Sequence, residues 1–155
     1  MARRNLTHDS GNANAPLENP MSTASNRILP ELDSLNRFFW TSGADGQLRV
    51  LRCADCRFWL HPPGIVCPKC LSRNLAPETV SGLGTIEALT VNHQPWSPGQ
   101  EVPYTVAIVS LDEQQGLQLT TNIVGCPPES AFIGQRVKVV FEAAEDVYLP
   151  LFTPA

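Results

Sequence analysis

The chain has 155 residues, of which 43% are hydrophobic, and a formal net charge of −4. This length allows one ordinary domain, or a small metal-stabilised unit followed by one small barrel. No apolar stretch approaches the roughly 20 residues of a membrane helix, and residues 1–30 contain no apolar core of a secretion signal. We therefore expect a cytoplasmic protein with no membrane partner.

The N-terminal part is predicted to comprise a disordered lead, residues 1–29, followed by a helix within residues 30–46. The first 26 residues are polar and show no periodicity, so they cannot bury enough apolar surface to offset the cost of ordering. Apolar side chains then recur at helical spacing, at Leu32, Leu35 and Phe39.

Three consecutive aromatic residues, Phe38, Phe39 and Trp40, lie in this predicted helix. One interpretation is that they fold back onto the rest of the chain. The other is that they form, together with Leu35, a docking surface for another subunit, because aromatic anchors dominate interface energies. The sequence leaves both open.

Four cysteines form two Cys-x-x-Cys pairs within residues 47–81: Cys53 with Cys56, and Cys67 with Cys70. Two such pairs can complete the tetrahedral sulfur shell that structural zinc prefers. Two disulfides would require an oxidising compartment, and a redox pair would not need a duplicate. We therefore predict a zinc ribbon whose ion, held by four thiolates, has no open position for catalysis.

Positive side chains surround these cysteines, namely Arg49, Arg52, Arg57, Lys69 and Arg73. A zinc ion with four thiolates carries a formal charge of −2, which nearby cations can compensate. The functional alternative is that some of them contact a phosphate-bearing ligand.

Residues 82–155 contain only strand signals. Five segments rich in β-branched residues, with no helix long enough to cover a sheet, favour a small closed barrel of the OB type. The proline-rich loop 94–103 contains Trp96 at a position where partners of such barrels dock. Alternatively, Trp96 folds over the end of the barrel.

Charge is unevenly distributed along the chain. Residues 1–82 carry a net charge of +2, whereas residues 83–155 carry −6. Ribbons and OB barrels both bind single-stranded nucleic acid in other proteins, but such grooves are built from lysine and arginine. The acidic barrel therefore argues against this alternative function, and we expect no nucleic-acid partner.

Residues 30–155 resemble a known family, the acyl-CoA-associated zinc-ribbon and OB-fold proteins. The resemblance lies in Cys53-Ala-Asp-Cys56, Trp59-x-His61-Pro62-Pro63, Cys67-Pro-Lys-Cys70, Gly82-x-Gly84-Thr85, Pro103-Tyr104-x-Val106-Ala107 and Ile133-Gly134-Gln135-x-Val137. It implies a mainly β fold: an N-terminal helix, a rubredoxin-like zinc ribbon at 47–81 and a five-stranded OB-fold barrel at 82–155.

The same resemblance implies an accessory subunit of a thiolase-superfamily enzyme, either a thiolase or an acyl-CoA aldolase. Such a subunit supports assembly and access of the CoA substrate, so that acyl-CoA is reached through the partner and coenzyme A lies at a shared interface. The cations expected near the CoA phosphates are Arg49, Arg52, Arg57 and Lys69. The residues expected at the partner interface are Leu35, Phe38, Phe39, Trp40 and Trp96.

The sequence offers no catalytic constellation. None of the three histidines, His8, His61 and His93, has an evident nucleophile partner. We therefore expect a protein that is not itself an enzyme. A self-sufficient acyl-CoA carrier is a further possibility, but spread cations without a helix N-terminus or glycine nest make a weak phosphate cradle.

Overall fold

A computed structural model describes residues 27–155. A short helix, α1 (Arg37–Thr41), continues into a 3-10 turn, Ser42–Asp45. The strands are β1 (Arg49–Cys53), β2 (Trp59–Leu60), β3 (Leu75–Thr79), β4 (Leu83–Asn92), β5 (Tyr104–Leu111), β6 (Gln118–Ile123), β7 (Arg136–Ala144) and β8 (Val147–Pro154). The predicted mainly β fold is confirmed. In this part of the chain, no helix is long and apolar enough to cross a membrane.

The ribbon is a three-stranded antiparallel sheet in the order β2-β1-β3. Strand β1 lies in the middle, where Leu51 pairs with Leu60 of β2 on one side and with Pro77 of β3 on the other. A small buried cluster forms beneath it from Leu51, Cys53, Leu60 and Cys67. Two of these four residues are cysteines, so the buried cluster of the ribbon and its cysteine site share residues.

The remaining five strands close into a barrel in the order β4-β5-β6-β8-β7, as the strand pattern predicts. Burial alternates along β5, whose inward side chains are Thr105, Ala107, Val109 and Leu111. This period of two is what a strand with one face on a core requires. The main core cluster extends from the barrel to Phe39 of α1 and Trp59 of the ribbon.

The barrel closes at a weak seam between β6 and β8. These strands run parallel and share one residue pair, Ile123 with Phe152. Pro150 lies at the seam and has no N–H to donate, so the pairing cannot continue along β8. Instead, the hydroxyl of Thr121 donates to the Pro150 carbonyl oxygen at 2.8 Å.

The N-terminal segment contains less helix than the predicted 30–46, because α1 begins only at Arg37. The Asp33 carboxylate accepts the backbone N–H groups of Leu35 and Asn36, each at 2.8 Å. In return, the Asn36 side-chain oxygen accepts the N–H of Asp33 at 2.9 Å, so Asp33 caps the turn that leads into α1. The residues before this cap, which the prediction placed in the helix, lie outside it.

The predicted disordered lead lies mostly outside the described residues, which include only its last three positions, 27–29. There, Arg27 forms an ion pair with Glu142 of β7 at 3.1 Å and donates a hydrogen bond to Asn122 of β6 at 2.9 Å. The start of the described chain is thus attached to the outside of the barrel.

Gln114, in the turn between β5 and β6, joins the ribbon to the barrel. Its side-chain oxygen accepts the N–H of Trp59 at 2.9 Å, and its side-chain nitrogen donates to the Trp59 carbonyl at 3.2 Å. The amide thus pairs with the edge of β2 as a neighbouring strand would. This contact holds the ribbon in a defined position on the barrel.

Candidate metal centre and interaction surfaces

The four cysteines of the ribbon converge on one point. The Sγ atoms of Cys53 and Cys70 lie 3.6 Å apart, those of Cys56 and Cys67 lie 3.5 Å apart, and all four lie within 4.8 Å of one another. Tetrahedral zinc, with zinc–sulfur bonds of about 2.3 Å, keeps its sulfurs about 3.8 Å apart. The four cysteines are therefore positioned to bind one metal ion.

The two cysteine loops have the same backbone hydrogen bonds. In the first, the Cys53 carbonyl accepts the N–H of Arg57; in the second, the Cys67 carbonyl accepts the N–H of Leu71, both at 2.9 Å. Arg57 and Leu71 both have positive φ, 64° and 61°. Each loop, or knuckle, thus turns sharply after its second cysteine, which directs both sulfurs to the same side.

The pKa values of two of the four thiols are shifted in opposite directions. The N–H of Cys56 donates to the Cys53 sulfur and, against the effect of burial, lowers the pKa of that thiol to about 7. At Cys70 the N–H of Ser72 acts in the same direction, but bonds with neighbouring thiols and burial together raise the pKa to about 12. Four thiolates this close repel one another unless a cation neutralises them, so the donor set fits zinc.

Asp55 ties the first knuckle to the chain that follows the second. Its carboxylate accepts the Ser72 hydroxyl at 2.5 Å and the Asn74 side-chain amide at 3.1 Å. These hydrogen bonds hold the pKa of Asp55 below its usual value, and the bond from Ser72 has the largest effect. The same hydrogen bonds join the two halves of the metal site to each other.

The structure pairs most of the ribbon cations with the ribbon's own acids. Arg49 binds Asp45 through two nitrogens, at 3.0 and 2.6 Å. Arg52 and Arg57 share Glu78, at 2.9 and 3.2 Å, and the Arg52 guanidinium also lies 4.5 Å from the centre of the Trp59 ring. Lys69, the fourth cation expected near CoA phosphates, is exposed and forms no ion pair with any residue from 27 to 155.

The aromatic segment is used mainly inside this protein. Phe39 is only 4% exposed, belongs to the main core and packs edge-on against Trp40. Phe38 contacts both the ribbon cluster and the main core. Little of the Phe39 surface is therefore left for a partner to contact, because its ring packs in the core between ribbon and barrel, and its place in a partner interface stays a prediction. Leu35, Phe38 and Trp40 are half-buried and keep only part of their surface for a partner.

Trp96 is exposed on the loop between β4 and β5, with 75% of its surface accessible. The interpretation in which it folds over the barrel end is therefore wrong. Its backbone N–H donates to the side-chain oxygen of Gln100 at 2.9 Å, which holds the loop in a turn. A partner contact at Trp96 stays a prediction.

A groove of about 1060 Å³ runs along the barrel seam, beneath the N-terminal segment and beside Pro62 and Pro63. His61 forms part of its wall, 4.7 Å from the Phe39 ring. Burial lowers the pKa of His61 to about 4, so the imidazole is neutral at physiological pH. Its Nδ1 atom is buried and has no hydrogen-bond partner in the described chain.

Between residues 27 and 155, no hydrogen bond joins His61 or His93 to a serine, threonine or cysteine side chain. Cys126 is a half-buried free thiol that packs against the main core.

Sequence reasoning missed Gln114 and Glu78, which organise the ribbon through contacts with residues 55 and 26 positions away in the chain. No local pattern marks such partners. It also missed the exposure of Leu71. The sequence did contain a signal for this exposure. A leucine directly after the second cysteine pair occupies a sharp turn that glycine adopts more easily.

Comparison with known proteins gives two adjoining family matches. The rubredoxin-like zinc ribbon domain of ChsH2 matches residues 40–76, and the C-terminal OB-fold domain of ChsH2 matches residues 78–142. A solved structure described as an Ltp2-ChsH2(DUF35) aldolase has a TM-score of 0.73 and 35% identity. The match covers 81% of this chain and 98% of that chain.

Two further relatives extend the comparison. The chain is 37% identical over 130 residues to a probable enoyl-CoA hydratase alpha subunit of Thermomonospora curvata, and the match covers 83% of this chain but 40% of that protein. It is 34% identical over 98 residues to a DUF35 domain-containing scaffold protein of Methanocaldococcus jannaschii, covering 62% of this chain and 68% of the scaffold protein. With its ribbon and barrel, the protein belongs to the DUF35 family, as the resemblance in its sequence implied.

Proposed function

We propose that this protein is a non-catalytic, zinc-binding accessory subunit of a thiolase-superfamily enzyme, acting in the cytoplasm on acyl-CoA metabolism. The observation that carries the proposal is the likeness to the DUF35 chain of the Ltp2-ChsH2 aldolase, which extends over 98% of that chain. Ribbon and barrel are therefore shared as one unit with a protein that is named as part of an aldolase.

The hydratase likeness supports a role in acyl-CoA chemistry but assigns no hydration step to this chain. The match covers 40% of the Thermomonospora curvata subunit. The remaining part of that subunit is not matched by this chain. The described residues provide no acid–base pair beside a nucleophile. The function that agrees with both facts is assembly with an enzyme that supplies the catalytic groups.

The proposed metal is a structural zinc held by Cys53, Cys56, Cys67 and Cys70. The ion would supply folding energy to the ribbon and charge neutralisation to the four thiolates. With four protein sulfurs around it, no position is left for water or substrate. The metal therefore supports the shape of the ribbon and takes no part in acyl chemistry.

Coenzyme A is proposed to lie at the shared interface, with most of its contacts supplied by the partner. Contact of the CoA phosphates with Arg49, Arg52 and Arg57 stays a prediction, because phosphate would have to displace Asp45 or Glu78 from these guanidinium groups. Lys69 needs no such exchange.

The decisive test has two steps. First, the tagged chain is purified from its native host, and the subunit that remains bound through size-exclusion chromatography is identified by mass spectrometry. Second, thiolase and retro-aldol activity with acyl-CoA substrates is measured for each protein alone and for the complex. We expect turnover by the complex, weak or no turnover by the partner alone, and none by this chain. Turnover by this chain alone would contradict the accessory role, and tight binding of single-stranded DNA at physiological salt would favour the nucleic-acid alternative.

A further inference from the structure

The second knuckle of the ribbon, residues 65–73, has surface features that metal binding does not require. Ile65 and Leu71 lie on either side of the Cys67–Cys70 pair and are 70% and 76% exposed. Large apolar side chains exposed to this degree gain little from folding, so two of them on one short loop indicate a surface that becomes covered.

Leu71 also adopts a backbone conformation that leucine disfavours. Its φ of 61° lies in the left-handed region, where glycine has no steric cost and other residues do. At the equivalent position of the first knuckle, Arg57 has the same conformation, but its side chain pairs with Glu78. Leu71 is strained and exposed at once, so its side chain contributes to something other than the stability of this chain.

The charges next to Leu71 are available for a partner. Lys69 and Arg73 are exposed, and neither forms an ion pair within the described part of the protein, whereas the three other ribbon cations are each paired with Asp45 or Glu78. The cations near the first knuckle are thus paired with carboxylates of this chain, and the two cations of the second knuckle are not. Carboxylates at the edge of a covering surface would neutralise these two cations.

A second exposed apolar pair, Phe132 and Ile133, lies on the loop before β7 and serves as a comparison. The residues that follow it include Arg136, but this arginine is already bound to Asp112 through two nitrogens, at 2.7 and 2.5 Å. This barrel loop therefore has exposed apolar area without the unpaired cations that mark the second knuckle.

We propose that the second knuckle is the surface through which this protein docks on its enzyme subunit. Ile65 and Leu71 insert into an apolar recess of that subunit, and Lys69 and Arg73 face carboxylates at its rim. This inference rests on the proposed accessory function and specifies which face of the protein performs it.

The test uses the full chain and the enzyme subunit that co-purifies with it, titrated without CoA by isothermal calorimetry. Leu71→Gly removes the apolar side chain and relieves the backbone strain. We expect it to keep or raise the melting temperature while the Kd rises about tenfold or more. The double variant Lys69→Glu/Arg73→Glu should raise the Kd by a similar factor and weaken its dependence on salt.

Ile133→Ala is the matched control, because it removes an equally exposed apolar side chain from the barrel loop; its Kd should stay within about twofold of the wild type. Unchanged binding by Leu71→Gly, a lower melting temperature of that variant, or an equal loss in the control would each overturn the docking surface. A charge-reversal effect seen only with CoA present would assign the cations to phosphate and overturn the carboxylate contact. If the wild-type chain binds no enzyme subunit, the proposed function itself fails; if it binds and Leu71→Gly binds equally well, only the docking surface fails.

Discussion

The ribbon and the barrel are stabilised by different means. The ribbon has a buried cluster of its own made of two leucines and two cysteines, and its Val50 and Trp59 belong to the main core, which the barrel forms for the most part. Without the barrel and the metal, four clustered side chains cannot offset the conformational entropy of more than 30 residues. The ribbon therefore depends on its metal, its ion pairs and its attachment to the barrel, whereas the barrel depends on apolar burial.

The largest expected effect is the loss of the ribbon when its metal is removed. Structural zinc contributes on the order of 10 kcal/mol or more to small metal-dependent folds, so a chelator should unfold residues 47–81 while the barrel strands persist. Elemental analysis should give one zinc per chain, and amide NMR spectra should show loss of the ribbon signals alone. Cys53→Ala should behave like the chelated protein. Full metal content in that variant, or simultaneous unfolding of the barrel, would contradict this division.

Truncation of Phe39 tests the junction at which the two regions meet. Phe39→Ala removes a ring that is 4% exposed in the shared core, and we expect a loss of about 3 to 5 kcal/mol in the free energy of unfolding. Urea titration followed by tryptophan fluorescence measures this. Phe132→Ala, whose ring is exposed, should change it by about 0.5 kcal/mol or less. Equal effects of the two variants would show that Phe39 is not a core residue.

Gln114→Ala removes one hydrogen-bonded link between the ribbon and the barrel and leaves the buried apolar side chains in place. The variant leaves the N–H and carbonyl of Trp59 without their side-chain partner, so we expect a loss of about 1 to 2 kcal/mol and earlier melting of the ribbon in calorimetry. Gln115→Ala, the neighbouring glutamine, is the control and should melt as the wild type does. A single unchanged transition in both variants would mean that this contact does not hold the ribbon in place.

The smallest expected effect concerns an ion pair at the end of the barrel. The Arg136 guanidinium holds the pKa of Asp112 below its usual value, so the charged carboxylate stabilises the fold at neutral pH. This contribution is lost as the pH falls through that lowered pKa. Because both side chains are more than one-third exposed, solvent weakens the pair.

Asp112→Asn should therefore reduce stability only slightly at pH 7, and its difference from the wild type should vanish in acid. Urea midpoints measured from pH 7 down to pH 2 test this sign. Asp146→Asn, in the exposed turn between β7 and β8, is the control and should have the urea midpoint of the wild type at pH 7. If the difference in urea midpoint between Asp112→Asn and the wild type grew as the pH fell, the charged Asp112 carboxylate would not be the stabilising form.

The features that the sequence predicts well are those set by local spacing. Cysteine pairs two residues apart predict a knuckle wherever they occur, and the alternation along Thr105, Ala107 and Val109 predicts a strand with one buried face. The barrel follows from these strands because no helix is available to cover a sheet. The four converging cysteines and the five barrel strands are thus predictable from the amino-acid sequence alone.

The features that the sequence leaves open depend on residues far apart in the chain. Whether Phe39 is buried is decided by the barrel and by His61, neither of which is a neighbour in sequence. Whether Arg52 is free is decided by Glu78 on another strand. The predicted helix is too long for a local reason, because Asp33 caps the turn that leads into α1 and the residues before this cap lie outside the helix.

The weak seam divides the barrel into two locally paired pieces, a three-stranded meander of β4, β5 and β6 and a hairpin of β7 and β8. They are joined by three residue pairs between β4 and β7 and by the Ile123–Phe152 pair, and the chain between them, residues 124–135, contains one short 3-10 turn. A protein built in this way is suited to fragment complementation. Cleavage within that connection should give two polypeptides that reassemble without a covalent link, since the pairing within each piece does not cross the cut.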